Sequence, residues 1–149
     1  MKIGDNLPRF SLPDQDGRNF NSTSLIGNPS VVYFYPKNNT PGCTSQACSF
    51  RDHFEEFTDA GVTVIGISSD SVKSHANFKK AYRLPFTLLS DPLKTVRRQF
   101  GVKGNVIGLI PGRETFVFDA CGMLLFKFES QINFNQHVKK ALESLKLLN

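Results

Sequence analysis

The sequence predicts an α/β fold: a central mixed β-sheet flanked by helices on both faces and preceded by an N-terminal β-hairpin. Three observations carry that expectation. Residues 31–35 (VVYFY) and 62–67 (VTVIGI) are apolar, β-rich runs of the kind that become buried strands, and they bracket a strong helical pattern. Strand and helix signals then alternate along the middle of the chain. Two further strand-like runs, 114–118 and 124–128, form a hairpin pattern that leads to an amphipathic helix.

Taken in order, residues 10–12 lead to Asp16-Gly17, a hairpin-turn dipeptide, and on toward Phe20. After the strand at 31–35 comes the most regular helix signal, bounded by Thr40 and Gly61. Threonine is a good N-cap, Pro41 has no amide proton to leave unpaired in the first turn, and Gly61 suits a C-terminal stop. At about 100° per residue, Ala47, Phe50, Phe54 and Phe57 fall within about 40° of the azimuth of Cys43, forming one apolar stripe. Cys43 therefore belongs at the buried edge of the first turn. Cys48 lies off the stripe, among the polar Ser45, Gln46 and Ser49. Residues 72–82 make a second helix, and Leu88-Leu89 a short strand approached through Pro85. Asp91-Pro92 opens a third helix by the same cap-then-proline logic. The turn 119–122 (DACG) joins the last two strands, and the closing helix presents Val138, Ala141, Leu142 and Leu145 on one face.

With 149 residues the chain is read as one domain, 1–149, large enough to bury a core. No stretch approaches the roughly 20 apolar residues of a membrane span, and MKIGDNLPRF lacks the apolar core of a signal peptide, so a soluble protein, made in place or already processed, is expected. Three cysteines are too few for a disulfide scaffold and fit a reducing compartment. The formal charge of +5 is spread over Lys73, Lys79, Lys80 and Arg83, over Lys94, Arg97 and Arg98, and over Lys139, Lys140 and Lys146. Without a nucleic-acid-binding signature these read as solvated helix faces. His53, His75 and His137 read as surface residues, none at zinc-ligand spacing to the cysteines, and Cys121 as an incidental turn residue.

The chemistry concentrates where 31–35 runs through Pro36 into Thr40, Pro41, Gly42 and Cys43, a strand end meeting a helix N-terminus. A free thiol is only a few per cent thiolate at neutral pH, and the thiolate is the nucleophile. The unpaired amides and dipole of a helix N-terminus stabilise that anion by up to about 2 kcal/mol. Gly42 lets a substrate approach the first-turn amides, Pro36 and Pro41 restrict the loop, and the Thr40 hydroxyl can both donate and accept. The loop suits a small, oxygen-rich electrophile. On an intact helix, Cα atoms five residues apart stand about 8.7 Å from each other, beyond the roughly 4.4–6.8 Å of a disulfide. If Cys43 and Cys48 pair, the first turns of the helix must unwind: peroxide would give a sulfenic acid on Cys43, which Cys48 would condense with.

Pro36, Thr40 and Cys43 make a Pro-x-x-x-Thr-x-x-Cys pattern that resembles the peroxiredoxins, and FYPKNNTPGCTSQACSFRD is similar to their Q-type, or bacterioferritin-comigratory, subfamily. VIGISSDS, LPFTLLSD, FGV and PGRETFVFD extend the resemblance over nearly the whole chain. It implies a thioredoxin-like fold and a monomeric peroxidase that reduces hydrogen peroxide and organic hydroperoxides, in a bacterial-type cytosol or, for a processed form, a plastid. Cys43 would be the peroxidatic cysteine and Cys48 the resolving one, with a redox-active disulfide between them. Pro36, Thr40, Gly42 and Arg113 would join Cys43 in binding peroxide, and Thr40 and Arg113 would activate the thiolate. Recycling by thioredoxin or a glutaredoxin-like reductant is implied, with no metal, flavin, nucleic acid or membrane involved. Asn38 and Asn39 depart from the pattern, standing where acidic residues are frequent. Two other readings stay open: a general dithiol–disulfide oxidoreductase, whose cysteines are normally spaced Cys-x-x-Cys, and a copper- or zinc-binding thioredoxin-like module, which needs further ligands.

Overall fold

In the computed structural model, residues 1–103, 112–130 and 134–146 are described. Strands β1 (Ser11–Pro13) and β2 (Asn19–Asn21) form the N-terminal hairpin. Its turn is held by the Asp14 carboxylate, which accepts the amides of Asp16 and Arg18. The main sheet contains β3 (Ser30–Phe34), β4 (Thr63–Ser68), β5 (Thr87–Ser90), β6 (Glu114–Phe118) and β7 (Leu124–Glu129), in the order β5-β4-β3-β6-β7. The first three run parallel, while β6 is antiparallel to both β3 and β7. The sheet is therefore mixed, as the sequence predicts.

Every residue of β3 is buried, so its alternating side chains feed two cores. Val31 and Tyr33 point into a layer with Phe50, Phe57, Phe78 and Val138. That layer is built by α1 (Pro41–Asp52), α2 (Phe54–Asp59), α3 (Val72–Tyr82) and α5 (Phe134–Lys146). Val32 and Phe34 point the other way, against Phe10, Leu12, Leu25, Phe100 and the short α4 (Thr95–Gln99). Among the described residues the two faces are covered unequally, one by four helices and the other by one short α-helix and the N-terminal segment. Gly66 sits opposite Tyr33 in the β3–β4 register, and a Cβ there would come within 2.9 Å of the Tyr33 ring, so glycine is what allows the ring to lie across β4.

Several expectations need correction. The long helix from Thr40 to Gly61 breaks at His53, whose backbone (φ −103°, ψ 8°) leaves the helical region and whose ring bonds back to the Ser49 carbonyl at 2.8 Å. Asp91-Pro92 does not open α4 directly: it forms a turn, and the Asp91 carboxylate reaches forward to accept the amides of Val96 and Arg97. Asp91 thus caps a helix that begins four residues after it. Arg97 is not solvated but 5% exposed, and the Lys79 ammonium is half-buried against the Phe86 carbonyl at 2.6 Å. His75 and His137 are fully buried rather than superficial.

Candidate active site

The loop from β3 to α1 is anchored by a buried polar cluster that sequence reasoning missed. The Tyr35 hydroxyl donates to Asn38 Oδ1 at 2.6 Å, and Asn38 Nδ2 donates to Ser74 Oγ at 3.1 Å and to His75 Nδ1 at 3.0 Å. The Asn38 amide donates to Asp70 Oδ2 at 2.9 Å, while His75 Nε2 donates to the Leu89 carbonyl at 2.9 Å. Burial holds His75 below the ordinary imidazole range, consistent with a neutral ring accepting at Nδ1. Asn38 therefore does more than change loop charge. It ties the loop to α3 and β5, and an aspartate at 38 would lack the donor that meets the histidine nitrogen.

Beyond this anchor, Pro36 is half-buried, and Thr40 takes the N-cap position with extended backbone, φ −91° and ψ 150°. Its hydroxyl does not cap the helix by accepting an amide. Instead it donates to the Lys37 carbonyl at 2.8 Å, which fixes its orientation and leaves its lone pairs as acceptors. The helix begins at Pro41, and the amides of Gly42 and Cys43 lie in the first turn, where no intrahelical acceptor exists for them. Cys43 is 1% exposed.

Arg113, immediately before β6, completes the site from beside β3. Its Nη2 lies 3.2 Å from Cys43 Sγ, and its Nη1 donates a short hydrogen bond to Gln46 Oε1. Arg113 is 4% exposed and Gln46 fully buried, so the guanidinium addresses the sulfur in a sheltered, low-dielectric setting. Gln46 is one turn after Cys43 on the same face of α1, and one arginine therefore spans both residues of that turn. Gln46 is not the exposed polar residue its neighbours suggest. The only signal for it in the sequence is its three-residue offset from Cys43.

Cys48 faces elsewhere. It is half-buried and lines a groove of about 680 Å³ between α1–α2 and α5, with Ser45, Ser49, Val138, Lys139 and Leu142 among the other walls. Both cysteines are free thiols on a continuous α1, and Cys121 is an exposed free thiol in the 119–122 turn, remote in sequence from them. Behind Arg113, the Thr115 hydroxyl donates to His137 Nδ1 at 2.8 Å, and His137 Nε2 donates to the Ser130 carbonyl at 2.9 Å. Burial is the main cause that pushes His137 down to about 4, and the positive charge of Arg113 adds to it. The neighbour of Arg113 on the opposite face of β6, Glu114, is pushed up to about 7, first by burial and then by Glu129 directly across the strand pair. Among the described residues no three metal-ligating side chains gather, and no described helix is long and apolar enough to cross a membrane.

Comparison with known proteins agrees with this geometry. The chain is 48% identical over 145 residues to the chloroplastic peroxiredoxin Q of Oryza sativa subsp. japonica, an alignment covering 97% of this chain and 67% of the rice protein. Among solved structures, the peroxidoxin BcpB of Mycobacterium tuberculosis superposes with a TM-score of 0.92 at 39% identity, covering 100% of this chain and 99% of that one. The bacterioferritin comigratory protein of Xanthomonas campestris gives 0.86 at 30% identity, covering 97% and 99% respectively. These relatives share the thioredoxin-like architecture of a mixed sheet flanked by helices. With its residues 3–126 matching the model of the AhpC/TSA family, the chain belongs to that family and is a peroxiredoxin, a peroxidase of the oxidoreductase class.

Proposed function

We propose that the protein reduces hydrogen peroxide and organic hydroperoxides at Cys43, resolves the product with Cys48, and is recycled by thioredoxin or a glutaredoxin-like dithiol donor. The observation that carries this reading is the guanidinium of Arg113 at 3.2 Å from the Cys43 sulfur, at the N-terminus of α1. The Cys43 thiolate attacks the terminal peroxide oxygen, the O–O bond breaks, and water or an alcohol leaves after protonation. Arg113 and the first-turn amides offset the charge moving from sulfur to the leaving oxygen. Thr40, oriented by Lys37, accepts a hydrogen bond from the O–H of the hydroperoxide, while Pro36 and Gly42 shape the approach. The Xanthomonas relative is described by its alkyl peroxide reduction activity, which supports the organic substrates proposed here.

The sulfenic acid on Cys43 then condenses with the Cys48 thiol, forming the S–S bond and releasing water. Because both residues sit on an intact α1, their Cα atoms about 8.7 Å apart by helix geometry, this step requires the first turns to unwind. We read the active species as a monomer, since both thiols of the cycle lie on one helix of one chain.

Mixing reduced protein with one equivalent of hydrogen peroxide and counting free thiols tests the reading. Rapid loss of two thiols, with the Cys43–Cys48 disulfide found by peptide mass mapping, is expected. Slow loss, or a disulfide that includes Cys121, would overturn it in favour of a general dithiol–disulfide exchanger.

A further inference from the structure

Arg97 is a second buried arginine, and its contacts converge on the same site from α4. Its Nη2 donates to the Tyr35 carbonyl at 2.8 Å, and its Nη1 donates to the Gly112 carbonyl at 2.6 Å. Tyr35 immediately precedes Pro36 and the loop that delivers Cys43. Gly112 immediately precedes Arg113. One planar fork thus joins the two segments that carry the sulfur and the cation facing it. The guanidinium carbon lies 5.6 Å from the centre of the Phe34 ring, and the amide of Arg97 is held by the Asp91 carboxylate at 2.9 Å. Gly112 has no room for a side chain, because a Cβ would collide with the Lys103 carbonyl, so its own carbonyl is tightly oriented.

A core that needed only to link two carbonyls could use a neutral donor, and burying a guanidinium at 5% exposure is costly. That cost appears as a downward pull on the Arg97 pKa, opposed first by Asp91 and then by Cys43. Arg113 contacts the Cys43 sulfur and Tyr33 and Tyr35 share its core layer, while Arg97 from α4 is near enough to feel the charges of Asp91 and Cys43, and His137 from α5 feels that of Arg113. Arg97 and Arg113 are the only cations among them as long as His137 is neutral.

Building on the reading of Cys43 as the reacting thiol, we propose that Arg97 is a positioning residue for the peroxidase reaction: it holds the Cys43 loop and Arg113 in mutual register and supplies a second positive charge near the thiolate. The two roles separate in two variants. Arg97→Met removes both fork and charge, while Arg97→Lys keeps the charge and loses the fork.

The test uses the full chain and measures three quantities for each protein: thermal unfolding, the rate constant for hydrogen peroxide consumption, and the pH midpoint of Cys43 alkylation by iodoacetamide. Arg97→Met is expected to slow peroxide consumption at least about tenfold and to move the alkylation midpoint to higher pH. Arg97→Lys is expected to restore the midpoint while leaving the rate below wild type. A folded Arg97→Met protein with wild-type rate and midpoint would overturn the proposal and leave Arg97 as a core tie. Should Arg97→Met fail to fold, Arg97→Lys decides alone, and a wild-type rate in that variant overturns the positioning role. Failure of the underlying reading looks different, since wild-type protein would then consume no peroxide through Cys43 and Cys43→Ser would match it.

Discussion

Cys43 and Cys48 stand five residues apart on one helix and are treated in opposite ways by the fold. Cys43 is sealed to 1% exposure, faced by Arg113, and placed on a turn that the same arginine grips through Gln46. Cys48 opens on a groove between α1 and α5. The difference matches what each thiol would have to do in the proposed cycle. An attacking thiolate benefits from fixed donors in a dry setting, because their stabilisation needs no rearrangement when the charge moves. A resolving thiol needs to travel, and a polar, half-open position lets it leave at low cost. Sealed and half-open surroundings are thus divided within twelve residues of one helix.

The sharpest way to break this comparison is Cys48→Ser. The variant is expected to consume one equivalent of peroxide at close to the wild-type rate and then stop in the presence of a dithiol reductant, with sulfenic acid trapped by dimedone. Continued turnover would remove Cys48 from the cycle. Arg113→Ala comes next and is expected to lower the peroxide rate constant by about 10²–10³-fold, the scale of losing a preorganised charged donor. Stopped-flow measurement at pH 7 checks it, and a loss below threefold would exclude Arg113 from the site.

Gln46→Ala sharpens the comparison because it should act in opposite directions on two steps. Without its acceptor, Arg113 is less well aimed and peroxide consumption should slow by about tenfold, equivalent to about 1.4 kcal/mol for a hydrogen bond to a charged group. The first turn of α1 is also released, so disulfide formation after oxidation should become faster. Quench-flow with mass detection separates the two steps; equal slowing of both would mean that Gln46 does not clamp the turn.

The smallest effects concern pH and stability around Arg113. His137 is held at about 4, below its ordinary value, so the unfolded chain binds a proton the fold refuses. Its contribution is complete above about pH 6.5 and is lost as pH falls toward 4, by up to about 3 kcal/mol. Glu114, held at about 7, has the opposite sign: the fold keeps a proton that the unfolded chain releases, so its contribution is complete below about 4.5 and lost as pH rises through 7. The two slopes oppose each other between about pH 4.5 and 6.5. Glu114→Gln should therefore match wild type near pH 4 and melt at a higher temperature near pH 8. Parallel melting curves across that range would contradict the assignment.

Much of the fold was legible because it rests on local patterns: the apolar runs of β3 and β4, the Asp16-Gly17 turn, and the stripe of Ala47, Phe50 and Phe57 that buries α1. Cys43 and Thr40 were legible for the same reason, being fixed by a strand end and a helix start. What was hidden depends on residues distant in the chain. Gln46 meets Arg113 across 67 positions, and Arg97 reaches Tyr35 across 62, and no periodicity encodes such pairs. His75 and His137 were misplaced because a polar residue on a mixed helix face looks solvated until its buried partners, Asn38 and Thr115, are known. The break at His53 had no glycine or proline to announce it. The bond of the His53 ring to the Ser49 carbonyl accompanies the break and is made only in the folded chain.

The buried cluster around Asn38 has a consequence for how the enzyme returns to its starting state. Asn38 is pinned to α3, and Phe50 is stacked on Tyr33 at 4.5 Å, so the stretch that must unwind is tethered at both ends by contacts the disulfide need not disturb. After reduction, rebuilding the helix is the closure of a loop of about ten residues between fixed posts, an event of roughly 10–100 ns. On the proposed cycle, the site would be restored by a short local search between two tethered ends rather than by refolding of the domain.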